Sequence, residues 1–517
     1  MNLPQVARMM AGFTGFFTLA QLPALVMALG EAPPADCSPV AGFAASMVVG
    51  GAVAYLLYLG GRRATGQMFR KEAIAIAGLS WFLASMLGAI PFVWSGVLAN
   101  PIDAVFETAS GLTTTGASVL GSGPNRAVVE VPHSLLLWRA MTHWLGGLGI
   151  VLIFVSLLPA MGVTGKNLVS SESVGVGSEA YQPRAVAKAR TIAAIYLVLT
   201  TMCTALLMLV GGYSLFDAVC HTFATVATGG FSTRASIAEF DSLGGELVLV
   251  VFMFLSGCSF AVVAMHWRQG WRCLPALVRT SEFRIYAMVT AALVGALCLS
   301  LVRAGLPFGT ALRQAAFNGV SVLTSTGFAT ADFQAWPAMA TLVLFCAMFV
   351  GGCSSSTAGG IKQVRLLVAL KLLTYSVRHF VRPKSVERIK LDNEVLPAAT
   401  ISSILAIVLL WFACVLFGAF VASFDERLNF VAALTASASM VGNCGPALTL
   451  IEPATAADAI LHGKAAMTLA GTPQIGPMGG YGELRDWTKV VFAFGMILGR
   501  LELLTLLALI TPSFWKR

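Results

Sequence analysis

Ten stretches of this chain are apolar over about the twenty residues that an α-helix needs to cross a hydrocarbon layer. They run approximately over 8–29, 41–60, 72–94, 133–158, 191–210, 245–266, 285–302, 337–373, 397–421 and 487–511. A soluble core of that size would have to be coated with charge, yet 57% of the residues are hydrophobic and 11% charged. The expected fold class is therefore an all-α polytopic membrane protein. The first stretch follows Arg8 and is soon joined by a second span, so it reads as a retained helix, with a signal segment as the alternative. The eighth is too long for one crossing, and the run "GGCSSSTAGG" at 351–360 divides it.

The connectors set the orientation. Arg62, Arg63, Arg70 and Lys71 follow the second span; Lys166, Arg184 and Lys188 the fourth; Arg268, Arg272, Arg279 and Arg284 the sixth. Lys371, Arg378, Arg382, Lys384, Arg388 and Lys390 follow the eighth, and Lys516 and Arg517 end the chain. If each stretch crosses once, all of these lie on one side, which the positive-inside rule makes cytoplasmic, with both termini there. The other side carries Asp36, Asp103, Glu130, Asp332, Asp425 and Glu426. This distribution accounts for the net charge of +9 without a nucleic-acid footprint. The 10 cysteines have no metal-ligand spacing, and Cys203, Cys298, Cys346 and Cys414 fall in apolar segments where packing is the expected role.

Four short phrases interrupt the apolar pattern: "TTTG" at 113–116, "ATGG" at 227–230, "TSTG" at 324–327 and "GNCG" at 442–445. Each follows an odd-numbered span from the third onward. Each is also preceded by an apolar or amphipathic segment too short to cross: "PIDAVFETASG", "SLFDAVCHTFA", "TALRQAAFNGVS" and "LNFVAALTASAS". Segments of that length suit re-entrant helices. The repeating unit is span, short helix, polar loop, span. The implied division is 1–65 for an N-terminal pair of spans, then 66–165, 185–270, 280–375 and 392–514 for four repeats. Taking Gly116, Gly229, Gly327 and Gly445 as equivalent puts Thr115, Thr228, Thr326 and Cys444 before them, so the last repeat departs chemically from the others.

Loops of this kind inside hydrocarbon need protein or water to satisfy their backbone. Four of them around a wet axis would meet that need together, and their carbonyls would replace part of a cation's hydration shell. Short helices whose C-terminal ends face the axis would favour a cation without a full carboxylate. The interruption at 351–360 is expected to be a mobile constriction below the third loop. Arg500, in the last span, is expected to reach the pore or a backbone carbonyl of a neighbouring element. The competing reading is a secondary transporter that couples its substrate cation to sodium or protons at one midplane site. An enzyme is not expected: the six histidines form no HExxH pair, and "GxxxxGK[ST]" is absent.

"FETASGLTTTGAS", "WRAMTHWLGGLGIVLI", "TVATGGFST", "GGCSSSTAGGIK" and "GRLELLTLL" resemble segments of the Trk/Ktr superfamily of potassium-uptake membrane subunits. With the fourfold arrangement the resemblance covers nearly the whole chain, and the two extra N-terminal spans place it closest to the Trk branch. It implies four pseudo-symmetric units around one pore, in a bacterial cytoplasmic membrane. The implied filter positions are Thr113, Thr114, Thr115 and Gly116; Val226, Ala227, Thr228 and Gly229; Thr324, Ser325, Thr326 and Gly327; and Gly442, Asn443, Cys444 and Gly445. The gate would be Gly351, Gly352, Cys353, Ser354, Ser355, Ser356, Thr357, Ala358, Gly359 and Gly360, with Arg500 beside the pore. Potassium ions are the implied substrate, held by filter backbone carbonyls, with no cofactor bound by this chain. The implied partners are a second copy in a homodimer, a cytosolic nucleotide-binding regulatory subunit and membrane lipids, but no nucleic acid. The departure at "MVGNCG" implies potassium passage with imperfect exclusion of sodium.

Overall fold

The computed structural model describes residues 1–64, 70–160, 182–266, 270, 273–383, 389–392, 394–449, 474–501 and 503–515. Of the basic connector residues named above, Lys166, Arg268, Arg272, Lys384, Arg388, Lys516 and Arg517 lie outside that set.

The N-terminal pair begins with a helix that turns at Ala20 and Gln21, giving Leu3–Leu19 and Leu22–Gly30, and returns as Pro39–Gly61. These pack closely because small residues line the seam. A methyl group on Gly61 would lie 2.5 Å from the Arg8 nitrogen, and one on Gly50 would lie 2.3 Å from the Thr18 hydroxyl. Such contacts replace the hydrophobic drive that lipid does not supply.

Four units of one design follow. Each has an outer helix (Arg70–Trp94, Gln182–Leu209, Ser281–Arg303, Ala398–Ala422), a short pore helix (Pro101–Leu112, Leu215–Val226, Phe308–Leu323, Phe430–Gly442) and an inner helix. Burial separates them. In the fourth unit, only 22% of the apolar window of Ala398–Ala422 is covered by protein, so this helix faces lipid. The pore helix beside it is buried from Thr435 through Gly442.

The sequence marks one broken inner helix, but the structure breaks all four. The first, His133–Ala160, kinks at Gly149, whose φ is 76° and ψ 138°. The second is Leu243–Ser256 and Phe260–His266, bent by 80° about Gly257. The third is Ala338–Val350 and Gln363–Val381 around the 351–362 loop, and the fourth is Asp486–Arg500 and Leu503–Ile510. The first break turns on a left-handed glycine, the second follows Gly257 at φ −74° and the fourth Leu501 at φ −81°, so only the third break has a conspicuous sequence. These breaks explain why six described helices are long and apolar enough to span, or seven with the bent pair, against ten apolar stretches. Among the described residues the only strands are the antiparallel ribbon Lys390–Leu391 and Glu394–Val395.

Candidate ion pathway

Three pore helices start on side-chain caps: Asn100 accepts from the Ile102 N–H, Ser214 from Asp217 and Asn429 from Ala432. The third starts after Pro307 without one. All four end in the same way. In the first, the Thr114 N–H donates to the Gly111 carbonyl at 3.1 Å and the Thr115 N–H to Ser110 at 2.9 Å. The second repeats this with Thr228 and Gly229, the third with Ser325 and Thr326, and the fourth with Asn443 and Cys444. This paired termination needs a left-handed residue, usually glycine. Here Thr114, Thr228, Ser325 and Asn443 take it at φ 53°, 55°, 54° and 52°. A left-handed L-residue costs about 1–2 kcal/mol, so four of them at one level mark a conformation that the surrounding structure enforces.

Two residues beyond each lies a glycine with φ between 80° and 98°: Gly116, Gly230, Gly327 and Gly445. A methyl group on Gly116 would lie 2.1 Å from the Gly229 carbonyl oxygen, and one on Gly230 would lie 2.0 Å from that of Thr326. On Gly327 it would meet Cys444 O at 2.3 Å, and on Gly445 it would meet Thr115 O at 2.5 Å. Each glycine therefore abuts the residue before the equivalent glycine of the next unit, and the fourth closes on the first. The four loops form one ring at the C-terminal ends of four helices.

The ring fixes the register and shifts the second loop by one residue. Thr114 corresponds to Thr228 and Gly116 to Gly230, so the second loop is Ala227, Thr228, Gly229 and Gly230. Val226 is the last residue of its pore helix. Matching the threonine before a glycine selects Gly229, because "ATGG" contains two glycines; the left-handed residue after the helix selects Gly230.

The chain leaving each loop is pinned back to its pore helix. Glu107 accepts from the Ser118 hydroxyl at 2.9 Å and the Val119 N–H at 2.9 Å. At the equivalent position of the second unit, His221 Nε2 and the Ser232 hydroxyl are 2.9 Å apart, and in the third Asn318 accepts from the Thr330 N–H at 3.2 Å. Ala436 occupies the position in the fourth unit, where Thr435 accepts from the Leu448 N–H at 3.0 Å instead. His143 bridges two loops. Its Nδ1 lies 2.7 Å from Gly111 O and its Nε2 receives the Phe231 N–H at 3.2 Å, which places the ring proton on Nδ1.

The 351–360 loop lies directly against this ring. Its Thr357 hydroxyl donates to Val226 O at 3.0 Å, and the Gly360 N–H donates to Gly442 O at 3.0 Å. The Gly359 N–H donates to the Ser325 hydroxyl at 2.5 Å. Three pore-helix ends thus touch one loop. Arg500 donates through Nη1 to Thr357 O at 2.7 Å and through Nη2 to Gly146 O at 3.1 Å, tying the loop to the first inner helix. On the opposite side of the ring, a cavity of about 340 Å³ is lined by Gly116, Gly230, Gly327 and Gly445 together with Arg234 and Glu239.

Comparison with known proteins identifies the lineage. The family described as "TrkH: Cation transport protein" matches residues 54–470. The chain belongs to the TrkH family. It is 32% identical over 524 residues to the Trk system potassium uptake protein TrkH of Halomonas elongata, with all of both chains covered. It is 32% identical over 486 residues to the TrkH of Escherichia coli K12, covering 92% of each. The crystal structure of the potassium transporter TrkH from Vibrio parahaemolyticus matches it with a TM-score of 0.84 at 27% identity over the full length of both chains. This TrkH fold therefore contains the four-unit membrane architecture expected from the sequence.

Sequence reasoning missed the supports of the TrkH ring. Arg139, 4% exposed, donates to Glu107 Oε1 at 2.6 Å and to Ser232 O at 2.9 Å, with its guanidinium 3.4 Å from the centre of the Phe231 ring. It joins the first loop to the second. The available signal was a charge on each of two apolar segments, Glu107 in "FETASG" and Arg139 in "WRAMTH". Glu107→Ala leaves Arg139 buried without its carboxylate, which costs about 3–5 kcal/mol. A lowered thermal unfolding temperature in detergent is expected, and Glu107→Ala at the wild-type temperature would contradict it.

Proposed function

We propose that this chain is the translocating subunit of a bacterial potassium-uptake system, conducting partly dehydrated K⁺ down its electrochemical gradient. The observation that carries this reading is the closed ring in which Gly116, Gly230, Gly327 and Gly445 each abut a carbonyl of the next loop. The filter comprises residues 113–116, 227–230, 324–327 and 442–445, with Val226 contributing its carbonyl to the gate contact below. Four pore helices end at the ring, each contributing roughly half a negative elementary charge at its C-terminus. Together with uncharged carbonyls, these stabilise a cation without holding it as tightly as a fixed carboxylate would. Relatives bearing potassium-uptake names, matched over 92% to 100% of this chain, support K⁺ as the ion.

The loop 351–360 is the gate, and its bonds to Val226, Ser325 and Gly442 hold it closed across the path. Arg500 braces that state. Arg500→Ala removes two charge-assisted hydrogen bonds and is expected to raise K⁺ flux several-fold. An unchanged flux from folded protein would remove Arg500 from gating.

The chain works as a homodimer in the cytoplasmic membrane, with both termini inside and a cytosolic nucleotide-binding subunit acting on the gate. Reconstitution in liposomes tests the mechanism. Current reversal at varied K⁺, Na⁺ and pH follows the K⁺ gradient for a channel-like path; reversal set by a fixed ratio of K⁺ to Na⁺ or H⁺ would replace it with coupled transport.

A further inference from the structure

Both ends of the 351–360 loop converge on one carboxylate. Glu282 is the second residue of Ser281–Arg303, a helix capped by Thr280, whose side chain accepts from the Phe283 N–H. Its Oε1 accepts from the Ser354 N–H at 2.6 Å near the start of the loop. The backbone N–H of Val364, just past the loop's end, faces the same carboxylate, as does the Lys362 ammonium. A side chain fixed in the first turn of a helix is a rigid post, and this one holds the loop closed at its neck.

Lys362 turns the other way. Its Nζ donates to Ala358 O at 2.7 Å and to Ser356 O at 3.2 Å. The carbonyl between them, Thr357 O, accepts from Arg500. Three successive carbonyls of the loop are thus each met by a side-chain cation. Lys362 achieves this from φ 76°, a conformation costly for a residue with a side chain. A glycine there would be free of that strain but would bring no ammonium to those oxygens.

We propose that Glu282 and Lys362 are the positioning residues of the gate. Glu282 clasps the two ends of the loop, and Lys362 occupies, as a tethered cation, the Ser356 and Ala358 oxygens. Withdrawal of the loop breaks the Glu282 and Lys362 bonds together and leaves those oxygens for the permeating ion. This rests on the reading of 351–360 as the gate.

The test is Rb⁺ efflux from proteoliposomes containing the full chain, compared at equal folded protein for wild type, Glu282→Gln, Lys362→Met, the double variant and Lys362→Arg. Each single loss is expected to raise flux at least roughly tenfold, the shift in a two-state equilibrium when a charge-assisted contact of the closed state is lost. The double variant should exceed either single effect, Lys362→Arg should stay near wild type, and K⁺ preference over Na⁺ should not change. Cys353, which is 1% exposed, gives a second readout. Glu282→Gln should speed its modification by a methanethiosulfonate, with Cys353→Ser as the control.

Folded Glu282→Gln and Lys362→Met with flux at or below wild type, and with Cys353 equally protected, would overturn the proposal. If deletion within 351–360 raises flux while these variants do not, the latch fails and the gate stands. If deletion leaves flux unchanged, both fail.

Discussion

Gly230→Ala is expected to abolish most discrimination between K⁺ and Na⁺ and to cut K⁺ flux at least about tenfold, in protein that still folds. Two terms act at this one atom. At φ 81°, an L-residue costs about 1–2 kcal/mol. The added methyl would also lie 2.0 Å from Thr326 O, far inside contact distance, and the obstacle is backbone. The third loop must move or the second must turn, and either displaces carbonyls whose spacing sets the fit to the ion. Gly116→Ala should act alike, since its methyl meets Gly229 O at 2.1 Å. Gly212→Ala is the control. It has φ 69° with nothing within 4 Å of the added methyl, so it carries the conformational term alone and should leave selectivity intact. Bi-ionic reversal potentials measure all three. Unchanged selectivity in folded Gly230→Ala would contradict the ring as the filter.

Deleting residues 354–358 is expected to raise K⁺ flux by more than any single substitution below the filter. Those residues carry the Thr357 bonds to Val226 O and Ser256 O, the Ser355 carbonyl bonded to the Phe260 N–H, and the oxygens held by Lys362 and Arg500. The deletion removes the Thr357 contact with the end of the second pore helix and the oxygens that Lys362 and Arg500 hold, while the ring keeps its own supports in Glu107, His143 and Asn318. Flux should therefore rise with the preference for K⁺ preserved. Tracer uptake into proteoliposomes checks both. A deletion that leaves flux at the wild-type level would remove the loop from gating, and one that raises flux but loses selectivity would show that the loop supports the filter.

Much of this architecture was legible because hydrocarbon imposes simple rules. Apolar length located three of the four outer helices to within about four residues at each end, but the second begins at Gln182, well before the expected start at 191. The re-entrant helices were legible as apolar segments too short to cross, ending in small polar runs. Two things were not. The second loop's register depends on which backbone turns left-handed, and in "ATGG" a threonine precedes the first of two glycines, so composition points to Gly229 where conformation points to Gly230. The breaks at Gly149 and Gly257 were hidden because glycines in an apolar run resemble helix packing, and the structure alone shows φ 76° at Gly149. The buried supports were hidden for a related reason. Arg139 and Glu107 are 32 residues apart, and nothing local pairs them.

The account stands on four loops of one chain enclosing a cation path. Its most direct test is anomalous scattering from crystals of the full chain grown in rubidium. The predicted map has rubidium on the axis enclosed by Thr115, Gly229, Thr326 and Cys444. A map with rubidium bound elsewhere in the protein and none within that ring would contradict it.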